Sequence, residues 1–185
     1  GVAALAGALA VLVAVAGLGL WASQRNLYRT EIGEQRVVRL TDGSSVRLDT
    51  DSLVRVRFAQ GRRDVRLERG QALFTVAHDP ARPFVVMAGD TAVTAVGTVF
   101  DVRRTEGGAR VTLVSGVVEV RGPFGGPPRR LTAGQQAIPS RAGPVVRAVD
   151  VRNVVAWSQG RLVFRDTPLA EAVAASLNLP LTRAS

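Results

Sequence analysis

Short stretches in which apolar and polar residues alternate make up most of this chain, and few folds tolerate such a pattern. From Val37 onward the alternation recurs between turns that contain Gly, Asp or Pro. Alternation at every second residue is typical of β-strands that turn one face toward a core. Around Asp42-Gly43 the flanking residues alternate on both sides, which predicts a hairpin with a tight turn. The pattern predicts a mainly β protein with an all-β domain at 37–152, built as a sandwich or a β-roll.

The first 22 residues form a segment of a different kind, because none of them is charged. A helix of about 20 apolar residues reaches about 30 Å, the thickness of the hydrocarbon core of a bilayer. Trp21 and Tyr28 stand where interfacial aromatic residues belong. We expect a transmembrane helix at 1–22 and a juxtamembrane linker at 23–36. The alternative is a secretory signal peptide with a small-x-small cleavage site that ends at Ala16.

Charge around the expected span leaves its orientation open. Arg25, Arg29, Arg36 and Arg39 follow the span, and by the positive-inside rule they alone favour a cytoplasmic location for this flank. The rule compares both flanks of a span, and the sequence starts at Gly1, inside the apolar run. Topology therefore has to be argued from other features.

Composition removes several classes of function. The chain has no Cys and a single His, His78, which excludes thiol chemistry, disulfides and His-based metal clusters. All 24 basic residues are Arg, and they are scattered rather than clustered with aromatic residues, so the net charge of +9 does not indicate nucleic-acid binding. We expect no enzyme, no cofactor and no metal. A cupin-like enzyme is the weakest alternative.

Four polar or aromatic motifs have simple structural interpretations. Asp49-Thr50-Asp51-Ser52 looks like the start of a calcium loop but lacks the downstream Gly and Glu, so we expect a polar strand corner. His78-Asp79 precedes Pro80 and predicts an exposed loop. Gly97 predicts a place where two backbones approach closely or a bulge forms. The four residues expected to anchor the core are Phe74, Phe84, Phe100 and Phe164.

The C-terminal part changes character after residue 152. Residues 161–165 read as a strand, and Thr167 with Pro168 is a good start for a helix. Apolar residues then recur at every fourth position, which predicts one apolar stripe on that helix. We expect residues 153–185 to be the start of a small α+β lobe, incomplete because the sequence ends after one β–α unit.

An ordered set of motifs runs from residue 30 to residue 172. The set contains Thr30, Gly33-Glu34, Leu40-x-Asp42-Gly43-Ser44, Arg63-x-Val65-x-Leu67, Gly70-x-Ala72-x-Phe74-x-Val76, Arg82-Pro83-Phe84-x-Val86, Gly97-Thr98-x-Phe100-x-Val102, Leu131-x-x-Gly134-Gln135, Trp157-x-x-Gly160-x-Leu162-x-Phe164 and Pro168-Leu169-x-Glu171-Ala172. In this order and spacing the motifs resemble FecR-type membrane-bound regulators of extracytoplasmic-function sigma factors. Each motif alone is weak, and the ordered set is specific.

This resemblance implies a single-pass protein of the bacterial inner membrane whose bulk is periplasmic. It implies two partners: an extracytoplasmic-function sigma factor, bound through a cytoplasmic region that no residue here represents, and the signalling domain of an outer-membrane TonB-dependent transporter for iron–siderophore uptake. The C-terminal lobe would resemble the secretin and TonB short N-terminal domain. We expect the transporter-facing surface to include Trp157, Leu162, Phe164, Leu169, Val173 and Leu177. The alternative function is an exported or membrane-anchored β module that binds polysaccharide or cell wall.

Overall fold

The structure is a computed structural model that describes residues 26–159 of the chain. These residues form 14 strands, one short α-helix and one 3₁₀ helix. The elements are β1 (Leu27–Arg29), β2 (Arg36–Arg39), β3 (Ser45–Leu48), β4 (Leu53–Ala59), β5 (Arg62–Arg69), β6 (Gln71–Thr75), β7 (Phe84–Ala88), β8 (Thr91–Ala95), β9 (Val99–Thr105), β10 (Gly108–Ser115), β11 (Val117–Arg121), β12 (Arg129–Thr132), β13 (Gln135–Ile138), β14 (Val145–Ala148), α1 (Val151–Val154) and the 3₁₀ helix (Ala156–Gln159).

The strands form two seven-stranded sheets. The first sheet has the order β1-β4-β5-β7-β8-β11-β12, and the second has the order β14-β13-β10-β9-β6-β3-β2. Neighbouring strands are antiparallel, except that β5 and β7 run parallel with Arg63 opposite Phe84. Along the chain, short groups of one or two strands are added to the two sheets in turn. The prediction of a mainly β architecture is confirmed for the described residues.

The apolar faces of the two sheets enclose one hydrophobic core. Phe74 in the second sheet stacks on Phe100 with ring centroids 5.3 Å apart, and it meets Phe84 of the first sheet edge-on at 6.1 Å. All three rings are fully buried. They are the core anchors that the sequence predicted, whereas Phe164 lies outside the described residues. Aromatic contact across the gap makes the two sheets a sandwich rather than two independent layers.

The hairpin predicted around Asp42-Gly43 is present. Strands β2 and β3 pair with Val38 opposite Val46, and the Leu40 N–H donates to the Ser44 carbonyl at 2.8 Å. Gly43 has a φ of 84°, a left-handed conformation that glycine adopts at little cost.

Two loop predictions are also confirmed. Residues 49–52 form a corner between β3 and β4, where the Gly33 N–H donates to Thr50 Oγ1 at 2.6 Å. His78 lies exposed in a loop, and a Cβ at Gly97 would lie 3.0 Å from the His78 Cα. Gly97 thus marks a close approach of two backbone segments, as its position in the sequence suggested.

The β fold begins earlier than we predicted. Strand β1 lies inside residues 23–36, which we expected to be a linker, and it pairs with β4 so that Tyr28 is opposite Val54. Tyr28, expected at a membrane interface, is half-buried and packs against the core. Three residues are too few to show a period of two, which explains why the sequence pattern missed this strand.

The predicted membrane span at 1–22 lies outside the described residues. Within 26–159, the helices are all too short to span a bilayer. The strand at 161–165 and the helix after Thr167 also lie outside the described part, so the C-terminal lobe stays a prediction.

Candidate functional site

Trp157 is the one predicted partner-binding residue that the structure describes. It lies in the 3₁₀ helix and is only 7% exposed. The other five, for which a role in docking stays a prediction, are Leu162, Phe164, Leu169, Val173 and Leu177. In this structure the Trp157 ring is packed against the β domain, so it anchors the first residues of the lobe predicted at 153–185 to that domain.

A short capped helix brings Trp157 to this position. Asp150 caps α1, because its side chain accepts a hydrogen bond from the Arg152 N–H at 3.0 Å. The Val155 N–H donates to the Val151 carbonyl at 2.9 Å, and the Ser158 N–H donates to the Val155 carbonyl at 3.0 Å. These bonds continue the helical path from α1 into the 3₁₀ helix and fix the direction in which Trp157 points.

Trp157 covers the outer face of the second sheet at Asp101. Asp101 lies in β9 between Phe100 and Val102, which both belong to the core. Alternation along the strand therefore points Asp101 to the opposite face of the sheet. The Trp157 indole N–H donates to Asp101 Oδ1 at 3.2 Å. The Gln71 side-chain amide, from β6, lies 2.9 Å from Oδ1 and 3.0 Å from Oδ2. Asp101 is consequently only 2% exposed, although it does not face the sandwich interior.

Burial changes the acidity of Asp101. Desolvation is the main reason that the pKa of this carboxyl rises from 3.8 to about 7. Hydrogen bonds from Gln71 and Trp157 favour the charged form and offset only part of the rise. The Asp49 carboxylate raises the pKa further, and Arg103 lowers it. Asp101 is therefore a carboxyl group that changes charge near neutral pH.

A row of polar side chains continues from Asp101 across the second sheet. Asp101 is opposite Thr112, which is opposite Gln136, which is opposite Arg147. The Gln136 side-chain amide donates to Thr112 Oγ1 at 2.8 Å, and Arg147 Nη2 donates to Gln136 Oε1 at 2.9 Å. Thr112 and Gln136 are buried. Buried polar groups in such a row must be hydrogen-bonded, and these are.

A second polar cluster lies at the edge of the core around Arg63. This side chain is fully buried, and its Nη1 forms an ion pair with Asp42 Oδ2 at 2.8 Å. Its remaining N–H groups donate to the carbonyls of Arg82 at 2.7 Å, Ala77 at 3.0 Å and Asp79 at 3.3 Å. The guanidinium carbon also lies 5.4 Å from the centre of the Phe84 ring. The cluster joins the turn after β2 to the loop between β6 and β7.

Sequence reasoning missed both clusters, but a signal was available for one. In β5, Arg63 shares its strand face with Val65 and Leu67, so the period of two already placed it inward. We had interpreted Asp42 only as a turn residue. Asp101 gave no such signal, because its own strand points it outward and a segment 56 residues away buries it.

No metal site is evident within residues 26–159, where His, Asp and Glu side chains do not gather in groups of three that could hold an ion. The buried polar groups of this part of the chain instead hold distant segments together, at Asp101 and at Arg63.

A family model described as "FecR protein" matches residues 26–119. The chain belongs to the FecR family. Two crystal structures of a candidate anti-sigma factor from Parabacteroides distasonis ATCC 8503, at 2.50 Å and 1.65 Å resolution, are similar to it. Each superposes with a TM-score of 0.74 at 28% identity over 83% of this chain, and over 73% and 74% of the respective neighbour. A search among curated proteins found no match.

The family model matches residues 26–119, whereas the similarity to the solved structures extends over 83% of the FecR chain. The family model covers β1 to β10 and the start of β11, a range that includes the Arg63 cluster and Asp101. Trp157 lies beyond the residues that the family model matches. The contact between Trp157 and Asp101 therefore connects the segment after the FecR match to a residue inside it.

Proposed function

We propose that this FecR-family chain regulates a sigma factor of the extracytoplasmic-function type. The observation that carries the proposal is the FecR match over residues 26–119, together with the similarity in fold to a candidate anti-sigma factor. Membership of this family supports a regulatory rather than an enzymatic role. Sigma-factor binding is not assigned to any of the residues described here.

We also propose a position for the chain in the cell. The uncharged residues 1–22 would cross the inner membrane once, and the β domain would lie in the periplasm. There it would receive a signal from the signalling domain of an outer-membrane TonB-dependent transporter of the iron–siderophore type. The resemblance in motifs and the length of the apolar segment support this arrangement.

The β domain suits such a role because it holds residues 153–159, the start of the predicted C-terminal lobe, in a defined place. Trp157 is fastened to Asp101 and Ala156 is buried beside it. The remainder of the lobe predicted at 153–185, which follows residue 159, would therefore be presented from a fixed point on the second sheet. A partner that binds this lobe would act on the β domain through the segment at 150–159.

Capture of the native protein tests the sigma-factor proposal. An antibody against the β domain would be used to recover the protein from solubilised membranes, and the recovered proteins would be identified by mass spectrometry. We expect an extracytoplasmic-function sigma factor to co-purify, and not with an unrelated antibody. Recovery without a sigma factor, together with an N-terminus processed near Gly17, would instead support an exported binding module.

A double substitution in the predicted lobe tests the transporter proposal. Leu169→Asp with Val173→Asp places two charges on the apolar stripe, and we expect binding of a transporter signalling domain to weaken at least about tenfold, since desolvating charge in an interface is costly. Val145→Asp is the matched control, because Val145 is apolar and 55% exposed on the β domain. Isothermal titration calorimetry measures both affinities. Equal affinity of the double variant and the wild type would remove the stripe from the docking surface.

A further inference from the structure

The segment through which the chain enters the β domain is fastened to the corner at residues 49–52. The Thr30 N–H donates to the Ser52 carbonyl at 2.9 Å, and the Ser52 N–H donates to Thr30 Oγ1 at 2.9 Å. Thr30 Oγ1 also donates to the Asp49 carbonyl at 2.5 Å. Thr30 and Ser52 are both buried. Residues 27–35, the entry segment, are therefore held to the domain by β1 and by this set of hydrogen bonds.

Gln35 connects this entry segment to the segment by which the chain leaves the domain. Its side-chain amide nitrogen donates to Asp49 Oδ1 at 2.8 Å and to the Trp157 carbonyl at 3.1 Å. An amide –NH₂ has two donor hydrogens, so one group can satisfy both acceptors at once. The contact between Gln35 and Trp157 spans 122 residues of sequence.

Trp157 thus has one contact with each of two parts of the molecule. Its carbonyl accepts from Gln35 of the entry segment, and its indole N–H donates to Asp101 of the second sheet. If the segment at 150–159 moves away from the second sheet, the indole N–H of Trp157 leaves Asp101 and the Trp157 carbonyl leaves Gln35 together. The Gln35 amide would then lose one of its two acceptors. Only its hydrogen bond to Asp49 would still hold the Gln35 side chain in place.

We propose that Gln35, Asp49, Gln71, Asp101 and Trp157 form an end clasp, which couples the entry of the chain into the β domain to its exit. Detachment of residues 150–159, the exit segment, loosens residues 30–35 of the entry segment without disrupting the core. The coupling is a property of the domain and does not rest on the proposed function. A regulator can be anchored in the membrane by residues that precede the entry segment and can bind its partner by residues that follow the exit segment. In such a regulator the end clasp would connect the anchored part directly to the partner-binding part.

Hydrogen exchange on the full chain in detergent micelles tests the end clasp. Trp157→Phe keeps an aromatic ring but removes the indole N–H together with part of the buried ring surface, so the lost hydrogen bond sets the lower limit of the expected effect. Loss of one buried hydrogen bond corresponds to roughly a fivefold change in a local equilibrium. We expect amides at 30–35 and at 150–159 to exchange at least about fivefold faster, while core amides at Phe100 and Val102 keep their wild-type rates.

Thr112→Val is the matched control. It removes a buried hydrogen bond from Gln136 in the same polar row of the second sheet, and Gln136 belongs to neither the entry segment nor the exit segment. We expect this variant to leave exchange at 30–35 unchanged. Faster exchange at 30–35 in Thr112→Val, of the same size as in Trp157→Phe, would overturn the proposal, because general destabilisation would then explain both results.

Coupling must also act in the opposite direction. Gln35→Met keeps the length of the side chain and removes its amide, and we expect amides at 150–159 to exchange about fivefold faster. The double variant with Trp157→Phe is expected to exchange more slowly than the product of the two single effects predicts. An effect of Gln35→Met confined to 30–35, or strictly multiplicative effects in the double variant, would overturn the end clasp.

Discussion

Two buried charged side chains of this FecR-family domain have opposite surroundings. Arg63 lies at the edge of the core and is neutralised by the Asp42 carboxylate, while three backbone carbonyls accept its other N–H groups. Asp101 lies on the outer face of the second sheet, where its hydrogen-bond donors are the neutral Gln71 and Trp157. The charge of Arg103 lowers the pKa of Asp101, but by less than burial raises it.

The pKa values of the two carboxyl groups reflect this difference. Burial alone would raise the pKa of Asp42, but hydrogen bonds from Ser44 and Arg63 outweigh it and leave the pKa below the usual 3.8. Burial dominates at Asp101 and raises its pKa to about 7. A complementary charge keeps a buried carboxylate ionised, whereas neutral donors do not fully replace water. The Arg63 cluster is thus a fixed structural feature, and Asp101 is a titratable one.

Removing Arg63 is expected to have the largest effect. Arg63→Met leaves the buried Asp42 carboxylate without its cation and three backbone carbonyls without the hydrogen bonds that Arg63 donates. We expect the free energy of unfolding to fall by about 3 to 5 kcal/mol. Urea unfolding at neutral pH, followed by circular dichroism on the full chain in detergent, measures the change.

The control for this prediction lies on the same strand. Arg66→Met changes an exposed Arg on the opposite face of β5 and is expected to alter stability by less than about 0.5 kcal/mol. If Arg63→Met prevents folding, the double variant with Asp42→Asn is expected to recover part of the stability, since the unpaired charge is removed. Equal stabilities of the two single Arg variants would contradict the assignment of Arg63 as a structural centre.

The comparison also shows which parts of the fold a sequence pattern can predict. Interactions with short-range causes were predictable: the turn at Asp42-Gly43, the close approach at Gly97 and the inward Phe residues follow from local chemistry or alternation. Arg63 could have been found by the same reasoning, because it occupies an inward position of β5. The residue type misled us, since Arg is rarely fully buried.

The environment of Asp101 could not be predicted in this way. Alternation in β9 places it outward, which is the normal position for a carboxylate. Its burial depends on Trp157, which returns to the second sheet after β14, and on Gln71 from another strand. Trp157 itself stands in a sequence motif, but a motif does not say which surface an indole covers. Contacts between distant segments need the folded structure.

The smaller effect concerns Asp101 and the pH dependence of stability. Its pKa is about 7 in the folded state and 3.8 as the reference for the unfolded state, so between these values the folded protein binds more protons. Stability contributed by this group is therefore fully present below pH 3.8 and is lost as the pH rises toward 7. Between pH 5 and pH 7 the loss amounts to about 2 kcal/mol. Asp49, whose pKa is also raised by burial, acts in the same direction.

Asp101→Asn isolates this contribution, because an amide has the shape of the protonated carboxyl group and never becomes charged. We expect the variant to match the wild type below pH 3.8, and its stability advantage over the wild type to grow by about 2 kcal/mol between pH 5 and pH 7. Urea unfolding at a series of pH values measures the two curves. Asp79→Asn serves as a control, because this half-buried carboxylate has a lowered pKa, and its contribution to stability is lost only as the pH falls below 3.8. Parallel curves for the wild type and Asp101→Asn between pH 5 and pH 7 would show that Asp101 stays ionised, and the contrast with Asp42 would then fail.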